Sequence, residues 1–113
     1  MINLWYNKAC SDGSLVKSAT SKLGWKAWKL TTSNLDNYAK AGDIIMVANS
    51  TVSDSKVQSN PNQYTTHHTI IYCGKVNGIH MIAHASKWAY HPKVIRYETA
   101  DWYINGGESF ILR

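Results

Sequence analysis

The feature that most constrains this chain is the stretch from Gly42 to Ser86, where three short apolar runs rich in β-branched residues are separated by turn and loop signals. Ile44 to Ala48, Thr69 to Cys73 and Ile79 to Ala83 are each too short for a helix and fit strands buried on at least one face. Gly42-Asp43 opens the first strand, and Asn77-Gly78 turns the chain between the second and third. His68 stands at the start of the second strand and His84 near the end of the third, so the register of this hairpin decides whether the two histidines meet. A two-residue turn on Asn77-Gly78 pairs Ile71 with His84 and sends the imidazoles to opposite faces. A three-residue turn with Gly78 as the bulge glycine pairs Ile70 with His84, and the histidines become diagonal neighbours roughly 7 to 8 Å apart on one face. The bulged turn is the expected arrangement.

Around these strands the pattern is that of a single small α+β domain spanning residues 1–113, with an antiparallel sheet and one main N-terminal helix. Asp12 or Ser14 can cap that helix, Leu15, Val16, Ala19 and Leu23 share one face, and Gly24 ends it. A short second helix is expected over Asn34 to Lys40, capped by Ser33 or Asn34. Ser50 to Thr66 reads as a long polar loop. After His91-Pro92, a strand is expected over Val94 to Tyr97, a turn at Gly106-Gly107 and a closing strand over Glu108 to Arg113.

Hydrophobic residues make up 44% of the chain and aromatics 12%, which excludes a disordered protein. No apolar run approaches a membrane span, and Met1 to Cys10 lacks the basic start and apolar centre of a signal peptide. The net charge of +5 favours an anionic partner such as a cell wall, nucleic acid or an acidic membrane surface. The basic residues are scattered from Lys8 to Arg113 without an adjacent run, so no nucleic-acid stripe is expected; with no apolar span, no membrane partner is expected either. Two cysteines make no disulfide framework, and Cys73, inside an apolar strand, reads as a buried thiol.

Four of the five histidines fall between residues 67 and 84. Neither an HExxH nor a CxxC spacing accompanies them, so no metal is expected. The other use of paired histidines is general-base catalysis for a cysteine: one imidazole takes the thiol proton and a second polar residue holds it in the right tautomer. His68, at the start of a rigid strand, suits the base, and His84, across the hairpin, suits the orienting residue. His67, His80 and His91 read as surface or loop histidines. A satisfied core residue is the competing reading of His84.

Gly42-Asp43-Ile44-Ile45, His68-Thr69-Ile70-Ile71 and Ile79-His80-Met81-Ile82-Ala83-His84-Ala85, followed by an aromatic-rich polar segment and Phe110-Ile111-Leu112, together resemble the carboxy-terminal part of an amidase-domain family. That family is similar to the CHAP and NlpC-type peptidoglycan hydrolases of bacteria and their phages. The resemblance covers roughly residues 25 to 113, carried by the order and spacing of the motifs. It implies a papain-like fold, no cofactor, and hydrolysis of an amide bond in the peptide part of peptidoglycan, by a monomer acting outside the cell or in the wall. His68 matches the family's catalytic histidine and His84 the polar residue after it.

The family places an Asp-Cys pair at the start of its first helix, where the helix terminus and the histidine lower the thiol pKa. This chain has Ala9-Cys10 there, and the apolar helix face begins about two residues later than in the family. Cys10 is the candidate nucleophile. The alternative is that the residues are the terminal portion of a longer protein whose cysteine lies upstream, and a third reading is a non-catalytic wall-binding or nucleic-acid-binding module. Trp88 and Tyr90, directly after the His84 strand, are expected beside a substrate groove.

Overall fold

The computed structural model describes residues 13–85 and 95–113. Cys10, Trp88, Tyr90 and His91 lie outside the described residues. The chain runs α1 (Ser14–Lys22), β1 (Ala27–Lys29), α2 (Thr32–Asn37), β2 (Ile44–Ala48), α3 (Asp54–Ser59), a 3₁₀ turn (Pro61–Gln63), β3 (Thr66–Val76), β4 (Ile79–Ala85), β5 (Ile95–Thr99), α4 (Asp101–Gly106) and β6 (Ser109–Leu112). The six strands form one antiparallel sheet in the order β1-β6-β2-β3-β4-β5.

The fold is α+β, as the alternation of apolar runs and polar segments implies, but its helical part is distributed. Among the described residues, three six-residue helices accompany α1. In α1, Val16 is buried and Leu15 half-buried, whereas Leu23, beyond the helix, is exposed. The second helix starts earlier than expected because Thr31, not Ser33 or Asn34, is its cap, its side chain accepting from the Asn34 amide. The expected polar loop over Ser50 to Thr66 is instead partly helical. Its one turn-and-a-half buries Val57, and the Asp54 carboxylate accepts from the Lys29 amide at 2.8 Å, tying α3 to β1. Among the described residues no helix is long and apolar enough to cross a membrane.

Period-two alternation divides the core between the two faces of the sheet. Ile45, Val47, Ile70, Tyr72, Ile82 and Ile111 pack on one face against Leu30, Leu35 and Tyr103. Met46, Ala48, Phe110 and Leu112 pack on the other against Val16, Val52 and Val57. Central β2 and β6 are therefore covered on both sides, which explains their continuous apolar runs. Each fully buried Ile or Phe contributes about 1.5–3 kcal/mol relative to an exposed one.

The β3–β4 hairpin reaches the expected register by a different device. Val76 pairs with Ile79 across a two-residue turn, with φ +50° at Asn77 and +79° at Gly78, the signature of a type I′ turn. The extra residue sits further down the ladder: Ile71 pairs with Ala83 and Tyr72 with Ile82, but Gly74 pairs with Met81, so Cys73 is bulged out. Gly74 supplies the positive φ of +92° that this needs. Cys73 is consequently half-buried at the bulge rather than sealed in a strand. Continued from the Ile71–Ala83 pair, the register sets His84 across from Ile70, on the face that carries His68.

Candidate active site

Alternation in β3 sends His68 to the same face as Ile70 and Tyr72, and alternation in β4 sends His80, Ile82 and His84 there as well. On β5, Arg96 lies opposite His84 in the ladder and Glu98 is its diagonal neighbour on that face. One side of the sheet thus collects His68, His84, Arg96 and Glu98 at the end of three adjacent strands. Trp102 and Tyr103 of α4 close it from the side, and together these residues bound a cleft of about 400 Å³.

The hydrogen bonds form a directed chain. His68 Nε2 lies 2.8 Å from His84 Nδ1, and His84 Nε2 lies 3.2 Å from Glu98 Oε2. The other carboxylate oxygen, Oε1, is 2.7 Å from an Arg96 guanidinium nitrogen. With both imidazoles neutral, and because a carboxylate only accepts, His84 donates through Nε2–H, its Nδ1 is bare, and His68 donates through Nε2–H to it. The Nδ1 lone pair of His68 is then left without its proton, available as a base. The rings of His68 and His84 meet edge to face at 80°, and the Tyr103 ring packs on the other side of His84 at the same angle.

Burial holds the His68 imidazole neutral: its pKa is lowered from 6.5 to about 4, mainly by desolvation, with smaller contributions from His84 and His67. The ring is therefore unprotonated at neutral pH, and a weaker base than a free imidazole. Burial, and then the nearby Glu98 charge, raise the Tyr103 phenol above its ordinary value, so it remains a neutral wall. At the rim, His67 Nδ1 and Asn49 Oδ1 are 2.6 Å apart, joining the start of β3 to the end of β2.

The structure therefore brings His68 and His84 together. Cys73, five residues along β3 from His68 and so about 16 Å away, cannot reach it. His80, expected at the surface, is buried: its Nδ1 is 2.6 Å from the Tyr72 hydroxyl, and its Nε2 is 2.8 Å from Asp36 Oδ1, which also pairs with Lys75 at 3.0 Å. Arg96, Glu98, Trp102 and Tyr103 are site residues that sequence reasoning missed. The signal for the first two was the alternation Ile95-Arg96-Tyr97-Glu98-Thr99, which marks Arg96 and Glu98 as sharing a face. Among the described residues no group of three or more His, Cys, Asp or Glu side chains is placed to hold a metal ion. Comparison of the chain with family models, curated proteins and solved structures finds no match.

Proposed function

We propose that the protein is a cysteine-type amidase or endopeptidase that hydrolyses an amide bond in the peptide part of peptidoglycan, on a papain-like arrangement of helix and sheet. The observation that carries this reading is the 2.8 Å contact of His68 Nε2 with His84 Nδ1 at the end of a chain anchored on Glu98, which with both rings neutral leaves the His68 Nδ1 lone pair without a proton. That is the proton arrangement a thiol nucleophile requires of its base.

In this reading Cys10 supplies the nucleophile, because Cys73 stands too far along β3 from His68. His68 Nδ1 takes the thiol proton, and the thiolate attacks the amide carbonyl. The resulting imidazolium returns the proton to the leaving amine, forming a thioester. His68 then deprotonates a water, which hydrolyses the thioester and restores the thiol. His84 keeps the imidazole aligned through both proton transfers. Trp102, 73% exposed on the cleft wall, offers an aromatic surface to the substrate, the role first expected of Trp88 and Tyr90. The net charge of +5 suits an anionic cell wall, and action as a monomer outside the cell or in the wall follows from that substrate.

Purified peptidoglycan incubated with the protein should gain free amino groups, and His68→Ala should abolish the gain. Absence of release from every wall type, with wall binding retained, would replace the enzyme by a binding module.

A further inference from the structure

We infer that Arg96 and Glu98 act as a tautomer lock, positioning residues that fix the proton on His84 Nε2 and thereby leave His68 Nδ1 bare toward the cleft. The inference rests on the functional reading above only for its catalytic consequence; the proton arrangement itself is a property of the free protein.

The argument turns on what each atom can donate. His84 is 8% exposed, and its two ring nitrogens face one partner each: His68 on β3 and Glu98 on β5. With both imidazoles neutral, two proton arrangements satisfy the His68–His84 contact. Either His68 donates through Nε2–H, leaving its Nδ1 bare, or His84 donates through Nδ1–H, leaving His68 with its proton on Nδ1 and no base toward the cleft. The histidine pair alone does not choose between them. Glu98 chooses, because an acceptor opposite His84 Nε2 demands a hydrogen there. Arg96 sits across the ladder from His84 and holds Oε1, which keeps Oε2 turned to the ring. Among the described residues, the other groups that line the cleft with His84 include the neutral phenol ring of Tyr103, in edge contact, Val47, Trp102 and His67.

Arg96 makes the lock testable, since it gives Glu98→Gln a definite and unfavourable outcome. The guanidinium only donates, so it claims the oxygen of the introduced amide and turns its NH₂ toward His84 Nε2. A donor there calls for a bare Nε2 and pushes the His84 proton to Nδ1, inverting the relay. Combining Glu98→Gln with Arg96→Met frees the amide to rotate and present either its oxygen or its NH₂ to His84, so part of the population regains the original tautomer. A merely structural role predicts the reverse, because the second substitution removes one more partner from the site.

The experiment is nitrogen-15 NMR of histidine-labelled protein at neutral pH, without substrate, alongside peptidoglycan hydrolysis. The parent and Arg96→Met should show His84 protonated at Nε2, Glu98→Gln at Nδ1, and the double variant a mixture of the two. Glu98→Leu, which offers neither donor nor acceptor, should also show a mixture and serves as the second probe of the carboxylate. Hydrolysis should fall about 10- to 100-fold in Glu98→Gln, part of the 10²–10⁴ that a general base contributes, and recover in part in the double variant. An unchanged His84 tautomer in both Glu98→Gln and Glu98→Leu would overturn the lock while an active parent kept the enzyme reading. The expected tautomer series in a protein that cleaves no wall would retain the lock and remove the amidase.

Discussion

Two histidines four residues apart on β4, His80 and His84, sit in matched networks on the same face of the sheet, and the difference between them lies in how each network ends. Both donate from Nε2 to a carboxylate, Asp36 for His80 and Glu98 for His84, and both accept at Nδ1. The His80 network finishes inside the protein at the Tyr72 hydroxyl, which is 2% exposed, while its carboxylate end is tied off by Lys75. The His84 network finishes at a second imidazole that faces an open cleft. A hydrogen-bonded chain whose terminal atoms are all occupied can contribute stability and specificity of packing; one with a bare lone pair at a cleft can move a proton. Chemistry is therefore assigned to the His68 end and architecture to the His80 end.

The largest effect that would sharpen this contrast is on rate. His68→Ala should lower peptidoglycan hydrolysis by about 10²–10⁴-fold or more, with a melting temperature close to the parent's, because water entering the cleft can serve His84 Nδ1. A large loss of stability with activity retained would reverse the two assignments. The mirror-image substitution, Tyr72→Phe, removes the partner of a buried ring nitrogen and should cost about 1–3 kcal/mol in denaturant unfolding. Under native conditions its hydrolysis rate should match the parent's.

A smaller effect separates the two networks by pH. His68 titrates near 4 when folded and near 6.5 in the unfolded chain, so between those values the unfolded state binds the extra proton. Its contribution is fully present above pH 6.5 and is lost as the pH falls toward 4. Thermal melts across that range should show the parent losing more stability than His68→Asn. Equal losses in both would place the pH sensitivity elsewhere. The smallest effect concerns the cleft wall. Trp102→Ala should leave the melting temperature nearly unchanged, since the ring is 73% exposed, and raise KM severalfold with little change in kcat.

The central strands and the pair of histidines were legible because the information is local: β-branched runs, an Asn-Gly turn, and the period of two that sets faces. The register is the expected one for a different reason, since the bulge expected at Gly78 lies instead at Cys73, beside Gly74 with its positive φ. Short elements were not legible. Asp54–Ser59 and Asp101–Gly106 are too brief to show a helical period, and they are held by long-range contacts such as Asp54 to the Lys29 amide. The site was half legible for the same reason. His68 and His84 share a hairpin, but Glu98 and Arg96 join them only once β5 pairs with β4, and nothing in a pentapeptide specifies its neighbour. His80 was misjudged because its partners, Tyr72 and Asp36, come from β3 and α2.

The central claim is that the open end of the His68 network receives a thiol proton, and the rate of Cys10 alkylation tests it most directly. Near neutral pH, Cys10 in the parent should react with a thiol reagent well faster than a model thiol, and His68→Ala should slow it to the model rate. Equal rates in the parent and in His68→Ala, at the model value, would contradict the pairing and leave this chain without a nucleophile for its base.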